Sequence, residues 1–195
     1  MPTSSTTGFL DPARFPSVRL LEESFGLIAS ELARCDDREF IPWVDTEAYR
    51  GDWRVLGLHY HRFEHVSRAH LQDVERRGLL PRTRALVRRV PGLIAAGFTW
   101  IGPQTLIYPH ADEQLVRTVR VHMGMRCDPR CTMQIGDQIR TWELGRCFVF
   151  DSADLHVVQH TGSTTRISLL VEIDLARAHD PLLPDQSRPE GLAHQ

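Results

Sequence analysis

Two hydrophobic periodicities divide this chain. In VRLLEESFGLIASELARC (18–35), apolar side chains recur at Leu20, Leu21, Phe25, Ile28 and Leu32, the three-and-four spacing of a helix that buries one face. Residues 62–78 keep that spacing, with Arg68, Asp73 and Glu75 on the wetted side. PRTRALVRRVPG (81–92) predicts a shorter helix, opened by Pro81 and stopped by Pro91-Gly92. FIPWVD is a loop, because Pro42 has no place inside a helix. DWRVLGLHYH (52–61) alternates apolar and polar positions as a half-buried strand does.

From about residue 97 the period shortens to two. AGFTWIGPQTLIYPH, LVRTVRVHMGM, CTMQIGDQIRTW, GRCFVFDS, LHVVQHTG and TTRISLLVEIDL are short β-prone runs, separated by Gly-Pro, Gly-Asp, Leu-Gly and Thr-Gly turn signals. IGDQIRTW predicts a hairpin turning at Gly136-Asp137. About six to eight short strands after a helical start predict a mainly β fold with N-terminal helices: a double-stranded β-helix, the cupin-like jelly roll. A single domain is expected over 1–195, with a helical part over about 16–92, the jelly roll over about 97–175 and a peripheral tail over 176–195. Residues 1–15 read as a loose polar arm.

Composition narrows the function classes. At 42% hydrophobic, 195 residues suffice for a core, and a net charge of −2 offers no broad basic surface for nucleic acid. All 23 basic residues are arginine, which excludes lysine Schiff-base chemistry. No apolar run approaches the ~20 residues needed to cross a bilayer. MPTSSTTGFLDPARFPS lacks the basic start and apolar centre of a secretion signal. A cytoplasmic location with reduced thiols at Cys35, Cys127, Cys131 and Cys147 is therefore expected. CDPRC reads as a turn, since it has no second cysteine pair to complete a zinc site.

YPHADEQLVRTVRVHMGM (108–125) concentrates polarity beside an apparently buried strand. His110 and Asp112 stand two residues apart, on one face of an extended segment, so both can reach one metal ion. His156 lies several short strands later, where a barrel can bring it back alongside. Two imidazoles and one carboxylate make the facial triad of non-heme Fe(II) oxygenases, with open positions for cosubstrate and O2. Such an enzyme needs a reductant, commonly 2-oxoglutarate, whose distal carboxylate suits an arginine. Arg166 supplies one inside an apolar strand, flanked by Ile167, Leu169 and Leu170, where it is costly unless paired. Glu172 or Asp174 is the alternative partner for it.

The order of these residues resembles the 2-oxoglutarate/Fe(II) dioxygenases, and most closely the aspartyl/asparaginyl β-hydroxylase family. The carriers are YPH (Pro109, His110), RVHMG (Arg120, Val121, His122, Gly124), TWELGRCFVFDS (Trp142, Gly145, Phe150, Asp151), His156 and Arg166. The similarity runs over about 90–175. It implies His110, Asp112 and His156 as metal ligands, and Arg166, Arg120, His122 and Thr99 as holders of 2-oxoglutarate. It also implies a hydroxylase that releases succinate and CO2 and acts on an amino acid or an amino-acid residue in a small molecule or peptide. Two departures stand out. Mammalian-type members have glycine where this chain has Asp112, whereas proline 3-hydroxylases look similar here in keeping the aspartate, which favours a small biosynthetic substrate. The His110–Arg120 spacing is one residue longer than usual, so Arg117 is an alternative to Arg120.

Plainer readings exist for several of these residues. His122 could donate to a neighbouring carbonyl, and Asp151-Ser152 reads as a turn ahead of His156. Trp53, Trp100 and Trp142 read as core or pocket wall. HYHRFEH offers His59, His61 and His65, but no third ligand in register for a second metal. An acidic substrate would find Arg117, Arg126 and Arg140 spare. A cupin-like module binding a metal or small anion without catalysis is the rival from another class, and it would not need Arg166 so placed.

Overall fold

The computed structural model describes residues 8–60, 68–113 and 116–178. In chain order the elements are β1 (Phe9–Leu10), α1 (Pro16–Glu23), α2 (Phe25–Leu32), β2 (Ile41–Pro42), β3 (Tyr49–Arg50), β4 (Trp53–Tyr60), α3 (Arg68–Arg76) and α4 (Pro81–Val87). There follow β5 (Leu93–Ile101), β6 (Leu106–His110), β7 (Thr118–Arg126), β8 (Cys131–Ile135), β9 (Gln138–Thr141), β10 (Cys147–Phe150), β11 (His156–His160) and β12 (Arg166–Asp174). Two antiparallel sheets face each other, in the orders β1-β10-β7-β12-β5-β4-β2 and β3-β6-β11-β8-β9. This is the expected jelly roll with N-terminal helices.

The long helix expected over 18–35 is two helices, broken at Ser24, whose backbone (φ −95°, ψ 3°) leaves the helical region. The apolar spacing continues across the break, and a Ser-Phe-Gly step is where helices commonly bend. Helix α3 occupies the described part of the expected 62–78 helix; His61 and His65 lie outside the described residues. The hairpin turns at Gly136-Asp137 as expected, with Ile135 opposite Gln138. Among the described residues, no helix is long and apolar enough to cross a membrane.

Period-two alternation divides the long sheet between two cores. On β12, Ile167, Leu169, Val171 and Ile173 join the helix residues Leu21, Ile28 and Val87 in one buried cluster. Ile101, Ile107, Met133, Ile135, Trp142, Phe148, Phe150 and Val158 fill the space between the sheets. The alternate positions of β12, namely Arg166, Ser168, Leu170 and Glu172, are thereby turned to the interior of the barrel.

Gly124 carries a packing constraint that the sequence does not announce. A Cβ there would sit 2.3 Å from the Glu143 carbonyl oxygen. The 142–146 segment crosses β7 at this point: Gly124 N–H donates to the Arg146 carbonyl, and Gly145 N–H to the Gly124 carbonyl. That segment carries Trp142. Gly124→Ala is expected to destabilise the protein by about 1–3 kcal/mol, the usual range for forced overpacking. Urea titration of the two proteins measures it.

Candidate active site

Strands β6 and β11 pair so that His110 and His156 stand opposite one another. Their ring centroids are 4.2 Å apart. Each ring is oriented by its own strand: His110 Nδ1 lies 2.7 Å from the Tyr108 carbonyl, and His156 Nδ1 lies 2.8 Å from the Asp154 carbonyl. A carbonyl can only accept, so both Nδ1 atoms carry the proton and both Nε2 atoms keep a lone pair. Burial, set against the bond to the Asp154 carbonyl, lowers the His156 pKa to about 4. Its imidazole is neutral at ordinary pH, as a metal ligand must be.

Asp112 does not complete the group by direct convergence. Its Oδ2 lies 2.6 Å from Arg120 Nη1, and among the described residues no three metal-ligating side chains meet at one point. Yet Oδ2 is buried without a directed hydrogen bond, and the Asp112 charge is felt at His156. The Asp112 carboxylate, once released by Arg120, and two imidazole lone pairs would form a donor set that suits iron(II).

Arg166 is 1% exposed, and no carboxylate pairs with it among the described residues. Glu172 faces Arg120 instead, at 3.6 Å, and Asp174 caps the backbone of Ala176 and Arg177. Arg166 Nη1 donates to Thr99 Oγ1 and Ser168 Oγ, each at 2.7 Å. Its guanidinium lies 4.0 Å from the Trp142 ring centre. Burial lowers the Arg166 pKa, while the thiols of Cys131 and Cys127 oppose that shift.

His122 sits opposite Leu170 of β12. Trp142 Nε1–H points at its Nδ1 from 3.4 Å, so Nδ1 accepts and Nε2 carries the proton. That Nε2–H is buried without a partner. Burial, then the charges of Arg166, Arg120 and His156, hold the His122 pKa well below the ordinary range. Arg117 lies at the surface, 53% exposed and 4.0 Å from Asp151, whereas Arg120 lines the cleft.

One narrow cleft gathers Thr99, His110, Arg120, His122, His156 and Arg166, with a free volume of about 40 Å3. Four of its buried donors lack an acceptor among the described residues: Trp53 Nε1, Arg120 Nε, His122 Nε2 and Arg166 Nε. Ser168 and Trp53 belong to the site and were not singled out as ligand-holding residues. For Ser168 the available signal was its position two residues after Arg166 on the same face. Trp53 carried none beyond an indole on an alternating strand. Asp151-Ser152 is a turn: Asp151 accepts from the backbone N–H of Ala153 and Asp154.

Comparison with known proteins places the chain in a family. The family model for aspartyl/asparaginyl β-hydroxylase matches residues 22–175. Human aspartyl/asparaginyl β-hydroxylase is 25% identical over 182 residues, covering 88% of this chain and 22% of the human protein. Mouse aspartate β-hydroxylase domain-containing protein 1 is 38% identical over 68 residues, covering 35% of this chain and 19% of that protein. The chain thus spans about a fifth of the length of these curated relatives. Among solved structures, an oxidoreductase of the 2OG-Fe(II) oxygenase family from Burkholderia pseudomallei aligns with TM-score 0.51 and 16% identity, covering 78% of this chain and 79% of that one. A prolyl-4-hydroxylase from Pseudomonas putida aligns with TM-score 0.50 and 17% identity, covering 87% and 94%. These two likenesses concern the fold. The family match covers most of the chain, and the chain belongs to the aspartyl/asparaginyl β-hydroxylase family.

Proposed function

We propose that this protein is a 2-oxoglutarate- and Fe(II)-dependent hydroxylase acting on an amino acid or an amino-acid residue in a small molecule or peptide. The supporting observation is the cleft's excess of donors. A buried guanidinium with no counter-ion among the described residues, and three further N–H groups unpartnered there, are costly in an empty protein. An oxygen-rich dianion relieves that cost. A barrel that bound only a metal would have no use for a cation buried this deeply; a non-catalytic module for a small anion would, and release of succinate separates it from the hydroxylase.

His110, Asp112 and His156 would hold the iron, and Arg166, Thr99, Arg120 and His122 the cosubstrate. When bound, iron(II) would activate O2, the oxidant, for C–H hydroxylation; 2-oxoglutarate would supply the other two electrons and leave as succinate and CO2. The protein's own contribution is placement. Tyr108 and Asp154 carbonyls fix the two imidazole tautomers before any ion arrives. Thr99 and Ser168 hold Arg166 Nη1, and Trp142 covers its face, so the guanidinium is oriented and screened from water. His122, kept neutral, presents an N–H donor instead of a second buried cation. Asp112 favours a substrate of modest size, through the likeness to amino-acid hydroxylases that keep this carboxylate.

Anaerobic mixing of the protein with iron(II) and 2-oxoglutarate should give weak visible absorption, and a substrate screen should then release succinate. His110→Ala is expected to reduce that release to background while the far-ultraviolet spectrum stays unchanged. Turnover at the wild-type rate would sink the assignment. Arg166→Gln should weaken 2-oxoglutarate binding by about 2–5 kcal/mol, the usual cost of truncating one member of a buried charge pair, read by calorimetry. pH provides a further check on the metal-free protein. The unfolded chain protonates its histidines near 6.5, whereas His156 stays neutral in the fold down to about 4. The unfolded state then binds more protons, so stability is whole above pH 6.5 and falls as pH drops from 6.5 toward 4. His122, also held well below the ordinary range, adds to the slope in the same sense, and His122→Phe should flatten it in urea titrations at stepped pH.

A further inference from the structure

Arg120 has two acidic neighbours, and they do different work. Asp112 Oδ2 is 2.6 Å from its Nη1. Glu172 Oε2 is 3.6 Å from its Nη2, with Glu172 directly opposite Arg120 in the β7–β12 register. The three side chains are only 18–28% exposed. Asp112 follows β6 and is anchored by its backbone N–H to the Ser152 carbonyl, in the turn that leads to His156. Glu172 stands on a central strand of the long sheet, on the face that carries Arg166. With Arg120 held on Asp112, the free volume of the cleft is about 40 Å3.

Resting on the reading above, we propose that Glu172 is a positioning residue that retains Arg120 when a metal ion takes Asp112. A metal and Arg120 compete for the same carboxylate oxygen. If Asp112 were the sole counter-charge, releasing it would strand a largely buried guanidinium, and Arg120 would cling to it. Glu172 removes that obstacle from the opposite side. The guanidinium draws back toward β12, the cleft widens, and Arg120 keeps a free edge for the incoming cosubstrate. Metal loading and the availability of Arg120 then become one event, and binding of metal and cosubstrate is linked reciprocally.

The two charges should therefore act on metal affinity in opposite directions. Manganese(II) alone, without 2-oxoglutarate, is titrated into the full chain, and free ion is followed by electron paramagnetic resonance. Arg120→Gln removes the competitor and should tighten binding by about tenfold; Glu172→Gln should weaken it by about as much. The double variant should behave as Arg120→Gln, because Glu172 then has nothing to retain. Glu172→Asp should stay near wild type. A merely structural role would weaken binding in both single variants, and shifts in the same direction, or no shift in either, overturn the proposal. Should Glu172→Gln fail to fold, Arg120→Gln still decides: unchanged or weaker binding overturns it. If wild type and every variant fail to bind manganese, the iron reading falls as well. Intact binding with the wrong signs removes this inference alone.

Discussion

An arginine buried to 1% exposure, with no carboxylate paired to it among the described residues, is the constraint around which this site is arranged. Arg166 is held by two hydroxyls and covered by an indole, none of which neutralises it. Each neighbour follows from strand register. Ser168 is two residues along β12 and Thr99 stands opposite Ser168 on β5. Trp142 arrives on the segment that crosses β7 where Gly124 leaves room. The same positive charge, after burial, helps keep His122 neutral. On the function proposed above, the barrel interior would receive an anion, with His110 and His156 beside it for a metal.

Much of this was legible from the chain alone. The change of period from the helices to the strands marked the architecture, and the turn signals marked the connections. His110, His156 and Arg166 were legible because polar residues on buried strands need a reason to be there. What stayed hidden depended on side-chain partners across strands. Arg166 had Glu172 and Asp174 as plausible counter-ions in its own strand, yet Asp174 ends the strand and caps the turn that follows, and Glu172 lies near Arg120. Arg117 and Arg120 were indistinguishable by spacing. Register separates their positions, since Arg120 is paired within β7 while Arg117 precedes the strand.

Local chemistry also defeated the pattern at two points. The helix over 18–35 breaks at Ser24 because apolar spacing reports burial and says little about backbone continuity. Asp112 shares an extended segment with His110, which suggested joint reach, but electrostatics turns its carboxylate to the nearest guanidinium. Proximity along a strand bounds where a side chain can go; competing charges decide where it rests.

The way the two histidines are aimed has an evolutionary side. Each ring is steered by a carbonyl two positions earlier in its own segment, not by a side chain from elsewhere. Main-chain oxygen is present whatever residue occupies that place. Steering of this kind survives drift at Tyr108 and Asp154, so lineages can remodel the surrounding wall for new substrates without re-inventing how the imidazoles are presented.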